Sequence, residues 1–171
     1  MNIKIIGPID FEEDENLEKT KLFGSPVFPK RFIRKRHLEN YYFLMQINIG
    51  KLKDKLNLPD DGFLYVFIDI TTNKPKILYT AEVISECVDD IDEPFNEGEF
   101  KALYIEDGNL DSYILKHEDE MVTIISLRPQ DLPNGYLPRY REFDNLKIKI
   151  PYIDLGQCNF SYATLELNHK I

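Results

Sequence analysis

The chain has 171 residues, 43% of them hydrophobic and 30% charged, which suits one globular domain over residues 1–171 with a core that needs no metal or disulfide. The 12% aromatic content is richer than a disordered chain carries, and the net charge of −9 argues against direct nucleic-acid binding, where a basic face must neutralise phosphates. No apolar run reaches the ~18 residues of a membrane span, and "MNIKIIGPIDFEEDE" lacks the basic start and long apolar core of a signal peptide, so a soluble, cytoplasmic protein is expected.

In chain order, residues 3–6 predict a strand stopped by Gly7 and Pro8. Asp10 then caps a short acidic helix, with Glu13 three residues on. "LFGSPVFPK" predicts an irregular loop anchored by Leu22, Phe23, Val27 and Phe28. Residues 41–49 alternate. A strict period of two places Phe43, Met45, Ile47 and Ile49 on one face and Leu44, Gln46 and Asn48 on the other. "GKLKDKL" at 50–56 allows about two helical turns, with Leu52 and Leu56 at i, i+4. "LPDDG" is a turn in which Pro59 fixes φ, Asp60 and Asp61 bond locally and Gly62 takes positive φ. Residues 63–70 are apolar on both faces until Asp69, as in a buried central strand. Further strands are predicted at 76–80, 100–105, 121–127, 146–150 and 160–167. Eight or so strands beside one to three short helices predict a β-rich α+β class, mostly of antiparallel mixed sheets.

The charge is uneven. Residues 10–18 hold six acids and no base, and residues 30–36, "KRFIRKR", hold five bases and no acid. Residues 82–120 hold 14 acids against Lys101 and Lys116. A localised excess points to an interface better than a bulk one, although solvated loops carry such runs too.

Catalytic signatures are missing. There is no glycine-rich phosphate loop, no nucleophile elbow and no HExxH pair. His37, His117 and His169 are isolated, and Cys87 and Cys158 form no CxxC pair, so no metal and no cofactor is expected. Acids flank Cys87 and raise a thiol's pKa, which makes it a poor nucleophile beside His117. Both cysteines read as structural, and spacing alone leaves a Cys87–Cys158 bridge open. Asp90, Asp92 and Glu97 do not match calcium-loop spacing.

Three segments in order, "FGSPVFP" at 23–29, "FLMQINIGKL" at 43–52 and "LPDDGFLYVFID" at 58–69, resemble the YwqG-like family, a bacterial domain of unknown function. "KILY" at 76–79 is similar to the strand that follows in that family. The chain departs from the pattern at Gly24-Ser25, where the family has Gly-Gly, and it has no Trp and no "WGD-x-G" turn. The resemblance implies a shortened or diverged member with a mixed, β-rich fold and no established reaction. It also implies a binding or inhibitor role of the kind found in bacterial toxin–immunity gene neighbourhoods.

Gly24, Pro26, Pro29, Gln46, Pro59 and Gly62 are therefore expected to be structural, with Gln46 and Asn48 bonding backbone of the 23–29 loop. The expected function is a non-enzymatic protein-binding module of the immunity or inhibitor type. Its acidic face, Asp89, Asp90, Asp92, Glu93 and Glu97, would meet a basic protein partner. Two alternatives stand beside it: an enzyme with an unrecognised pocket near Gln46 and Tyr65, and an acidic DNA mimic.

Overall fold

The structure is a computed structural model that describes residues 5–6, 18–23, 26–29, 40–53, 55–82, 103–105, 114–132 and 137–169. Two antiparallel sheets organise these residues. The first contains β1 (Ile5–Ile6), β2 (Lys21–Leu22), β3 (Tyr41–Asn48), β4 (Phe63–Asp69), β5 (Pro75–Thr80) and β6 (Leu103–Ile105), in the spatial order β1-β6-β2-β3-β4-β5. The second contains β7 (Ile114–Glu118), β8 (Met121–Leu127), β9 (Phe143–Pro151) and β10 (Thr164–His169), in the order β10-β9-β8-β7. Every described pairing is antiparallel.

The fold is β-rich, and the α+β class with its one to three helices is corrected accordingly. Among the described residues the longest helix is α1 (Tyr152–Gly156), with five residues. The 50–56 segment shows why. Seven residues are too few to sustain an isolated helix, because the first turn fixes many dihedrals for one hydrogen bond. Among the described residues of this segment only Ile49–Lys51 coil, as a 3-10 turn; Leu56 takes a positive φ of 50°. Pro59 also disfavours helical backbone at the residue before it. Leu52 and Leu58 are buried instead as turn residues. The acidic helix expected after Asp10 lies outside the described residues.

One apolar cluster draws on both sheets. Leu44, Met45, Ile47, Leu64, Val66 and Ile68 of the first sheet join Val122, Ile124, Ile125, Leu146, Ile148 and Ile150 of the second. A second cluster lies on the opposite face of the first sheet: Phe43, Phe63, Tyr65, Phe67 and Leu78, with Phe28 packed on them. β4 therefore alternates between two cores rather than between core and water. Phe28 sits 4.6 Å from the Tyr65 ring and 6.0 Å from the Phe67 ring, centroid to centroid.

The strict period of two expected for β3 fails at one point. The register with β4 shifts between Phe43 and Met45, so Phe43 faces Phe67 while Met45 faces Val66. This bulge puts Leu44 and Met45 together in the inter-sheet core and moves Phe43 to the Gln46 face. β8 repeats the device. Its register shifts between Thr123 and Ile125, and Ile124 and Ile125 both enter the same core.

Side chains from the second sheet's connections hold the β4–β5 turn. The Tyr140 hydroxyl lies 3.0 Å from Asn73 Oδ1, and the Arg139 guanidinium donates to the Ile70 carbonyl. Burial, the main cause, pushes the Tyr140 hydroxyl pKa up.

Candidate functional site

Two features of the first sheet are candidates for function: a cluster of buried polar side chains on one face, and a groove along its β5 edge.

The cluster begins with Gln46. Alternation places it opposite Tyr65 on β4 and Lys21 on β2, and its side chain is wholly buried. A buried primary amide has donors and an acceptor to satisfy. Gln46 Oε1 accepts from the Val27 N–H at 3.0 Å, and Nε2 donates to the Lys19 carbonyl at 3.2 Å. The Tyr65 hydroxyl donates to the Val27 carbonyl at 2.7 Å. One peptide residue, Val27, is thus gripped at both its N–H and its C=O by adjacent strands. Two residues along β3, Asn48 Nδ2 donates to the Glu18 carbonyl at 2.7 Å, and the Asn48 N–H donates to Thr20 Oγ1 at 3.0 Å. These side chains bind chain, and their geometry serves to seat residues 18–20 and 26–29 against the sheet.

Of the residues expected to be structural, Pro26 and Pro29 are buried beside Val27, Pro59 is half-buried and Gly62 is buried. Gly62 has φ 115°, and a Cβ there would stand 2.5 Å from the Thr80 carbonyl oxygen, so the turn requires glycine. The Gly62 N–H donates to Asp61 Oδ1 at 2.8 Å, the local Asp bond expected of "PDDG". Gly24 and the acidic face, Asp89, Asp90, Asp92, Glu93 and Glu97, lie outside the described residues, as does Cys87. Cys158 is a half-buried free thiol, and burial raises its pKa. The His117 ring lies 4.5 Å from that of Tyr152, and the His169 ring 4.6 Å from that of Phe143, so both meet aromatic rings. Among the described residues, no three His, Cys, Asp or Glu side chains come together in a way that would hold a metal ion.

The groove has a volume of about 630 Å³ and runs between β5 and the 158–161 loop that follows α1. Its β5 wall is formed by residues 75–79, and the opposite wall by Cys158, Asn159, Phe160 and Ser161. Lys74, Lys76 and Asp69 supply its charge. The Asp69 carboxylate accepts from the Thr71 and Thr72 N–H groups at 2.8 and 2.9 Å. These bonds, that from Thr72 foremost, hold the Asp69 pKa below the usual carboxylate value. Lys76 Nζ sits 4.9 Å over the Tyr41 ring. The Tyr79 hydroxyl donates to the Asp61 carbonyl at 3.2 Å. Its pKa is raised, first by burial and then by the neighbouring Cys158 and Asp61. A smaller recess of about 100 Å³ lies past Gly62, between Glu18, Asn48, Asp61 and Glu82.

Sequence reasoning did not find the groove, because its walls are about 80 residues apart in the chain. It also missed the wholly buried Lys21, which is paired between Gln46 and Tyr104. A lysine in a two-residue strand gives no local signal of burial.

A family model described as "Domain of unknown function (DUF1963)" matches residues 20–150. The chain belongs to this family. The DUF1963 match covers Gln46, Asn48, Tyr65, Val27 and the β5 wall of the groove, while the 158–161 wall falls beyond it. No curated protein matches the chain. Among the described residues no helix is long and apolar enough to cross a membrane.

Proposed function

We propose that this DUF1963 protein is a non-enzymatic binding module of the YwqG-like kind that works in the cytoplasm as an immunity or inhibitor-type protein. Its acidic face, drawn from Asp89, Asp90, Asp92, Glu93 and Glu97, meets a basic protein partner. The observation that carries the reading is the fate of the polar residues on β3 and β4. Gln46, Asn48 and Tyr65 are buried on these strands, and each is bonded to backbone of residues 18–27. An enzyme pocket at Gln46 and Tyr65 would need those groups aimed at a substrate. The 14 acids of residues 82–120 support the charge of the partner, since complementary potentials speed encounter and suppress wrong partners.

The test uses the full chain as bait in a host extract, followed by rebinding of the purified partner. Binding should weaken with salt, and should weaken again when the five acids are replaced by Asn and Gln. Equal affinity of the five-site variant at low salt sinks the acidic face. A recovered complex that turns over a small molecule sinks the non-enzymatic reading.

A further inference from the structure

β5 is an edge strand whose outward backbone groups lie in the groove. The Asp69 N–H donates to the Lys74 carbonyl at 2.9 Å, and the Ile49 N–H donates to the Gly62 carbonyl at 2.9 Å. In an antiparallel ladder, bonded and non-bonded pairs alternate along each strand. With the β4–β5 register, Lys76, Leu78 and Thr80 therefore turn their backbone groups toward β4. Pro75, Ile77 and Tyr79 turn theirs away from it. Pro75 fits this phase, because its missing N–H falls on the outer edge and takes no bond from the ladder. Among the described residues, no strand pairs with β5 on that side. All three outward residues line the groove.

We propose that this edge takes up an extended protein segment, added as a further antiparallel strand, with a carboxylate at the segment's C-terminal end. Strand addition draws its affinity from backbone hydrogen bonds along an open edge. Ile77 and Tyr79 each offer an N–H and a C=O, and Pro75 adds a C=O. An antiparallel segment ends, at its C-terminus, beside Pro75 and Lys74. Lys74 is exposed, and its charge also acts on the neighbouring Asp69 carboxylate. Asp69, the groove's one carboxylate, is already engaged by the Thr71 and Thr72 N–H groups. Lys74 and Lys76 outnumber that one carboxylate, so the anionic end of the segment meets a groove of net positive charge. The opposite wall, at Cys158 to Ser161, confines the segment to this edge. The proposal rests on the reading of the protein as a binding module, and names a second surface on it.

The test uses three blocked pentapeptides with the full chain: Thr-Val-Thr-Val-Glu, the reordered Glu-Val-Thr-Val-Thr, and the first peptide N-methylated at alternate amides. Calorimetry gives affinity, and amide hydrogen exchange reads the Ile77 and Tyr79 N–H groups. The first peptide should slow exchange at both amides. The N-methylated copy should bind about tenfold more weakly, through lost backbone bonds. The reordered peptide should bind up to about fivefold more weakly, as for an exposed ion pair, and Lys74→Glu should remove that difference. Equal binding of the N-methylated copy overturns the proposal, as does exchange unchanged at Ile77 and Tyr79. Protection that grows with protein concentration, without peptide and alongside a dimer in sedimentation, overturns it in favour of a second copy of the chain. If no peptide binds at millimolar concentration the groove proposal falls. The acidic-face reading stays separately testable, because its readout is the bait partner and the five-site variant.

Discussion

β4 and β9 are both long strands inside antiparallel sheets, yet they meet different surroundings. From Phe63 to Ile68 every β4 residue is buried, whereas β9 buries Leu146, Ile148 and Ile150 and leaves the residues between them partly open. β9 is an ordinary strand with one covered face, and Lys147 and Lys149 mark the other. β4 has a second cover, made by residues 26–29. That cover is irregular backbone, and irregular backbone brings N–H and C=O groups that need partners when buried. Gln46 and Tyr65 are those partners at Val27, and Asn48 does the same for the 18–20 segment beside it. The comparison shows why polar side chains stand on the most hydrophobic strands: a loop, rather than a sheet, lies over them.

The comparison breaks most sharply at its apolar level. Phe67→Ala should lower unfolding free energy by about 3–5 kcal/mol, since the ring is packed on Phe28 and Phe43 and leaves a cavity. Asp144→Ala on β9 is exposed and should stay within about 0.5 kcal/mol in the same urea titration. Similar losses at the two positions would mean that the second cover contributes nothing. Next in size is Gln46→Leu. It keeps the volume but strands the Val27 N–H and the Lys19 carbonyl, at about 2–3 kcal/mol. Tyr65→Phe removes the bond to the Val27 carbonyl and should cost about 1–2 kcal/mol. A double variant measures their coupling. Because both side chains hold one residue, the combined loss should fall short of the sum.

Strands with strong local patterns were legible from the residues. Met121–Leu127 has the predicted bounds, and β4 departs from prediction by one residue. What local pattern could not carry is of three kinds. A bulge changes the phase of a strand without changing its composition, so Leu44 and Phe43 exchange faces with no sign in "YYFLMQIN". A two-residue strand such as Lys21–Leu22 is too short to show a period, and exists because β3 and β6 flank it. A short amphipathic run such as 50–56 matches a helix on paper, but the core takes Leu52 and Leu58 from a turn. The candidate sites divide the same way. Alternation shows that Gln46 is off the Met45 face. Its bond to Lys19, and the groove between β5 and the 158–161 loop, depend on tertiary contacts that no short stretch encodes.

The smallest expected effect belongs to the open face of the second sheet and sets the lower end of the scale. Glu166 Oε2 lies 2.8 Å from Lys149 Nζ, with the glutamate side chain 41% exposed. The Lys149 hydrogen bond, the main cause, holds the Glu166 pKa below its ordinary value of 4.5. A carboxyl depressed in the folded state stabilises the protein above its unfolded pKa, and that contribution is lost as pH falls through the lower folded value. Water and salt screen so exposed a pair, so Glu166→Gln should cost no more than about 0.5 kcal/mol near neutral pH. The difference between wild type and variant should shrink as pH drops below about 4. Gln46→Leu removes no ionisable group, so its larger loss should show no such dependence across that range. A Glu166→Gln loss that matched Gln46→Leu, or that grew on acidification, would place real structural weight on the outer face and erase the contrast between the two sheets.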